Sequence, residues 1–258
     1  MSEHRSHEAT VGSQFGVQAK AYLNSAVHSQ GPDLEALADL ARTWPQARVL
    51  DMGCGGGHAT YTMAPHAESV IAYDLSPEML SVVAAAAKER GLSNVTTRQG
   101  RAERLPFDDA SFDLVVSRLS AHHWQDAAAG VREAARVLAP GGTFCLIDIV
   151  SPGTPLADTF LQAIELLRDV SHVRDYSRAE WETMIAAAGL TTVVTRQNRM
   201  QIDFDSWVAR MSTPPENVAG IRALHAAMPQ EVAAWFELKA DGSFVFDNML
   251  FQAVKPAR

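Results

Sequence analysis

From Val49 to His58 the chain reads VLDMGCGGGH, an apolar run that ends in an acid and then in glycines at 53, 55, 56 and 57. Glycines at a strand-to-helix bend let backbone N–H groups come close to a ligand, although a purely structural turn collects glycines as well. Spacing separates the ligands such a bend could serve. His58 stands where the third glycine of a dinucleotide-binding fingerprint would be, and the carboxylate of Asp51, two residues before Gly53, would repel a pyrophosphate. A cationic ligand suits that carboxylate, and S-adenosylmethionine, with an α-ammonium and a sulfonium, is one. Asp74 follows Gly53 by 21 residues and ends the next apolar run, where a short carboxylate accepts hydrogen bonds from both hydroxyls of an unphosphorylated ribose. Alone, an acid beside Ser76 and Pro77 reads equally well as helix-proximal. Leu75 and Met79 either flank an adenine or belong to the core.

A second set of residues suits proton transfer. Methyl transfer is an in-line displacement at a carbon activated by positive sulfur, so positioning and desolvation supply much of the rate without a catalytic residue. An acceptor that must lose a proton benefits from a base near neutral pKa. In SRLSAHHW the spacing puts His122 and His123 just past a strand, with His123 as the candidate base and His122 as a substrate contact; a loop histidine bonded to backbone is the competing reading. Arg118, inside the strand segment, must meet an acid or a ligand anion. RDVSHVRDYS offers Arg168, His172, Arg174 and Tyr176, and Arg174 either holds a carboxylate or phosphate bidentately or is a solvated loop charge. No metal site is expected, because the His pair lacks a carboxylate at ligand spacing.

The elements that must position these groups alternate. ARVLDMG, SVIAYDLS, NVTTRQG, FDLVVSRLS and TFCLIDIV read as strands, PEMLSVVAAAAKERG and DAAAGVREAARVLAPGG as helices, in five successive β-α repeats. Parallel neighbours need right-handed crossovers, so the expected fold is α/β: a doubly wound sheet with helices on both faces. Residues 1–12 read as a disordered tail, a helix follows from Phe15 to Asn24, and Asp33 after Pro32 is the expected N-cap of the next helix. Residues 13–258 then form one domain, with a cofactor-binding core at 34–150 and helical insertions at 151–190 and 203–240 that shape the acceptor pocket. TTVVTRQN and SFVFDNMLFQAV are the sixth and seventh strands.

The 258 residues carry a formal charge of −8, so no cationic surplus is present to neutralise a phosphate backbone and nucleic acid is not an expected partner. No apolar run has the length of a membrane span, and only two cysteines occur, Cys54 and Cys145, without zinc or disulfide spacing. A cytoplasmic enzyme with reduced cysteines is expected, acting on a small molecule; assembly into a homodimer stays open.

Four segments, VLDMGCGGG, YDLSPEML, QGRAERLPFDDASFDLVVS and RVLAPGGTFCLID, make the chain resemble the class I S-adenosylmethionine-dependent methyltransferases, in the branch of the ubiquinone and menaquinone C-methyltransferases. The resemblance implies a Rossmann-like seven-stranded sheet whose last strand is antiparallel, under a helical lid. It also implies Ala102 and Glu103 near the adenine edge, Ser117 beside the methionine portion, and a lead-in QFGVQAKAY, with Tyr22, that closes over the cofactor. Relatives often carry Asp where this chain has Arg101. Two rival readings are a nicotinamide-dependent oxidoreductase and a catalytically silent cofactor-binding module.

Overall fold

In the computed structural model, residues 5–16 and 31–257 are described, and Tyr22 lies outside them. Seven strands form one sheet in the order β3-β2-β1-β4-β5-β7-β6. They are β1 (Arg48–Met52), β2 (Ser69–Asp74), β3 (Val95–Gln99), β4 (Phe112–Arg118), β5 (Leu138–Val150), β6 (Thr191–Ile202) and β7 (Phe244–Val254). Strands β1 to β5 pair in parallel, while β7 runs antiparallel between β5 and β6.

Strand alternation explains why both faces are covered. In β1, Leu50 and Met52 join Val131 of helix α5 (Ala127–Val137) and Trp181 and Ile185 of α7 (Arg178–Ala187), whereas Val49 joins Leu37 and Leu40 of α2 (Pro32–Thr43) and Met63 of α3 (His58–Met63). Helix α4 (Pro77–Glu89) packs Leu80 and Val83 against Ala72 of β2. A separate cluster forms the lid: Leu161 and Ile164 of α6 (Pro155–Arg168), Phe204 and Trp207 of α8 (Phe204–Arg210), Ile221 of α9 (Pro215–Ala227), and Val232 of α10 (Gln230–Trp235) gather on Phe244 and Phe246.

The structure departs from the sequence reading in four places, one of them LAPGG, read as the end of a helix but forming the start of β5. Helix α1 (His7–Gly16) runs through residues expected to be a disordered tail. Its contacts are with distant parts of the chain: His7 Nε2 meets the His123 carbonyl at 2.9 Å, Glu8 pairs with Arg101 at 2.6 Å, and Gln14 donates to the Met211 carbonyl at 2.9 Å. Between β3 and β4 no helix forms; Glu133 and Arg136 of α5 hold the loop by its backbone at Leu105 and Phe107. Finally, the N-cap of α2 is Gly31, and Asp33, two residues further on, pairs instead with Arg118.

His225 of α9 is 8% exposed and sits 5.6 Å from the rings of Phe204 and Phe244, with neither nitrogen hydrogen-bonded. Burial, then Arg222, lowers its pKa to about 4. The unfolded chain, with a histidine near the usual ~6.5, therefore takes up this proton first, and stability is lost as pH falls from about 6.5 to 4. His225→Leu removes two unpaired polar atoms and is expected to stabilise the fold by about 1–2 kcal/mol and to lessen its acid sensitivity in that window, as read by urea unfolding.

Candidate functional site

The glycine bend leaves β1 at its carboxyl end. Gly53 has φ 77, the left-handed region, and a Cβ there would lie 1.9 Å from Ser120 Oγ, so both conformation and space demand glycine. Gly53 and Cys54 donate their N–H groups to the Tyr73 carbonyl at 2.8 and 3.0 Å, fastening the bend to β2. Asp51 is 1% exposed and accepts from Thr60 Oγ1 at 2.6 Å; burial, which outweighs that hydrogen bond, raises its pKa to about 6. Asp74 accepts the Ser76 N–H on one oxygen at 2.9 Å and the Gly55 N–H on the other at 2.8 Å, and burial raises it too. Two carboxylates whose ionised forms are penalised by burial face one cleft, an arrangement that a cationic ligand would relieve.

That cleft encloses about 1040 Å³, counting its open mouth. Of the expected cofactor residues, Asp51, Gly53, Gly55, Asp74, Leu75, Met79, Ala102 and Glu103 line it, together with Arg118 and His123. Ser117 is 1% exposed, with its hydroxyl unpartnered, and is absent from the residues lining the cleft. Arg118 meets the acid that its burial requires, Asp33, at 2.5 Å, with both side chains under 9% exposed. Glu103 accepts the Gln125 N–H at 2.8 Å and so ties one wall to the segment after His123. His7, Glu8, Val11 and Phe15 of α1 line the cleft; Phe15 belongs to the lead-in QFGVQAKAY that the resemblance placed over the cofactor, while His7, Glu8 and Val11 were missed because a polar stretch of sequence carries no sign of the pocket it covers.

A second cleft, of about 630 Å³, shares Phe15, Leu119 and His123 with the first. Leu119 sits at this junction with φ 51, unusual for a branched apolar residue, and is held there by its N–H to the Ile147 carbonyl at 2.8 Å. The walls include Ile149, Met200, Ile202, Trp207 and Phe246, with charged groups from the 165–175 segment. His122 lies in this wall, and Arg174 in neither cleft: Arg174 bridges Asp158 at 3.2 Å and Glu180 at 3.3 Å and lies over Tyr176, bracing the loop. RDVSHVRDYS drew attention for its cations; of these Arg168 lines the cleft, alongside the acids Asp169 and Asp175 of the same segment.

The two histidines differ in charge. Burial opposes protonation of His122, yet Asp148, 2.6 Å from Nδ1, overcomes it and raises the pKa to about 9. Burial, then the His122 charge, lowers His123 to about 4. His123 Nδ1 donates to the Ser171 carbonyl at 3.0 Å, which leaves the lone pair of the neutral ring on Nε2.

A family model described as a methyltransferase domain matches residues 50–146. The chain is 47% identical over 205 residues to the uncharacterized protein YafE of Escherichia coli K12, covering 80% of this chain and 99% of that one. It is 36% identical to the uncharacterized methyltransferase YcgJ of Bacillus subtilis, over 93% of this chain and 97% of YcgJ. The crystal structure of YcgJ superposes with a TM-score of 0.84 over 87% of this chain and 98% of that one. A demethylmenaquinone methyltransferase of Chlorobaculum tepidum is 37% identical over 109 residues, 42% of this chain and 43% of that enzyme.

Proposed function

The chain belongs to the methyltransferase-domain family and is a methyltransferase; on that premise we propose that S-adenosylmethionine is the donor, held in the first cleft, and that a small molecule in the second cleft receives the methyl group. The observation that carries this reading is the pair of acids, buried Asp51 and half-buried Asp74, on one cleft with a glycine bend between them. When bound, S-adenosylmethionine supplies a methyl group made electrophilic by the sulfonium. Asp51 would face its positive charge, Asp74 its ribose, and Leu75, Met79 and Ala102 its adenine. His123 stands where the two clefts meet and would take the acceptor's proton on Nε2. The Phe15 ring, 4.9 Å from that of His123, would help to keep water from the reacting atoms.

A nicotinamide-dependent oxidoreductase is set aside, since YcgJ, a relative that spans nearly the whole chain, is named a methyltransferase. Among the described residues no helix is long and apolar enough to cross a membrane, and both cysteines are buried and unpaired. Free cysteines suit a reducing compartment, and a cytosolic home is part of the proposal. Calorimetry with S-adenosylmethionine tests the donor: binding that NAD does not reproduce is expected. Isotope-labelled methyl from the donor should then appear in small molecules of a cell extract. Donor binding with no labelled product would turn the reading to a silent binding module.

A further inference from the structure

The second cleft joins an apolar body to a charged end, and nearly every charge named at that end is matched. Glu165 pairs with Arg168 at 3.2 Å, and Arg168 also donates to the Trp207 carbonyl at 3.1 Å and lies over its ring. His122 pairs with Asp148, and Asp169 accepts from the N–H and hydroxyl of Ser171 at 2.8 and 2.6 Å. Arg210 lines the same cleft. Asp175 is the exception. It lines the cleft, is 1% exposed, and has Oδ2 shut off from solvent without a hydrogen bond. His172 Nε2, 3.9 Å from that oxygen, donates instead to Gln162 Oε1 at 3.0 Å. Gln162 also fixes the Asp175 backbone on both sides, accepting its N–H at 3.1 Å and donating to its carbonyl at 2.8 Å, so the carboxyl is held in place.

We propose that Asp175 reads the methyl acceptor, donating a hydrogen bond from its carboxyl O–H to a hydroxyl or carbonyl oxygen of an uncharged molecule with an apolar body. This rests on the reading of the second cleft as the acceptor pocket. Burial, then the Glu165 carboxylate, holds the Asp175 carboxyl well above the ordinary range, which favours the protonated form, whose O–H needs an acceptor. The titratable and charged groups that share its cleft, act on its charge or lie beside it are Glu165 and Arg168 on α6, Asp169 and His172 in the following loop, His122 and His123 after β4, Asp148 on β5 and Arg210 on α8. Because Glu165 is already paired with Arg168 and His122 with Asp148, a charged ligand would find these countercharges engaged. A neutral oxygen satisfies the O–H and adds no charge. Among the described residues no group of His, Cys, Asp and Glu is set to hold a metal ion instead.

The test uses the full chain and three fluorinated probes with one aromatic body: a phenylethanol, a phenylethylamine and a phenylpropanoate, followed by fluorine NMR line broadening near neutral pH. The alcohol should bind about tenfold more tightly than the other two; Asp175→Asn, whose amide still donates, should keep it within about threefold, and Asp175→Leu should weaken it about tenfold. Preference for the amine, with Asn as damaging as Leu, would make Asp175 an ionised anchor and overturn the proposal. Preference for the acid, equal binding of all three, or no broadening by the alcohol would overturn it as well. The wild-type ranking stands even where a variant folds poorly. S-adenosylhomocysteine titrated into the same samples separates the two readings: an absent cofactor response beside the expected ranking sinks the donor assignment alone.

Discussion

Asp74→Ala is expected to weaken S-adenosylhomocysteine binding by about 100-fold, close to 2.8 kcal/mol. The side chain does two jobs with one carboxylate. Its oxygens accept the Gly55 and Ser76 N–H groups, which sets the bend, and about two lone-pair sites remain for sugar hydroxyls. Alanine loses both. Stability should change much less, because the burial that raises the Asp74 pKa already penalises the charge in the empty protein. Asp74→Asn should fall between, since one carbonyl oxygen remains while the amide turns a donor toward a backbone N–H. Asp51 adds a pH signature. Its pKa of about 6 means that the ionised form, which a cationic ligand selects, is lost as pH falls through that value, so affinity should decline below pH 6 and level off above it. Calorimetry across pH reads both effects. Asp74→Ala binding within about threefold of wild type would remove the ribose assignment.

How much of this site the sequence discloses depends on how local each feature is. The bend, the acid before it and the acid at the end of β2 are short-range patterns, and they fall on one cleft because parallel strands deliver their carboxyl ends to the same edge of the sheet. Arg118 and Asp33 are 85 positions apart, so the need for a partner is legible from a strand arginine but the partner is not. The lid helices show amphipathic periodicity, which reports that a face is buried and is silent on which charges go with it; Arg174, the residue suited to a ligand anion, braces the loop, while the neighbouring Asp175 lines the cleft. Helix α1 is the extreme case: a polar decapeptide with a weak apolar stripe is ordered by contacts to His123, Arg101 and Met211 that no window of sequence contains.

His123→Ala is expected to lower turnover about 100- to 1000-fold for an acceptor that must lose a proton, with donor affinity unchanged. The geometry supplies three conditions for a base. The Ser171 carbonyl fixes the tautomer, Phe15 and His122 confine the ring at 4.9 and 4.2 Å, and His123 lines both clefts, between the places proposed for donor and acceptor. The pKa of about 4 makes His123 a weaker base than an exposed histidine but keeps it unprotonated throughout the neutral range. The acid limb of the rate should accordingly lie near pH 4, well below the ~6.5 of an ordinary imidazole. His122 controls that position. Held protonated by Asp148 up to about pH 9, it disfavours a second charge at 4.2 Å, so His122→Asn should shift the acid limb upward, with burial alone left to depress it. A His123→Ala enzyme with full turnover, or an acid limb that ignores His122→Asn, would leave the transfer to positioning and desolvation alone.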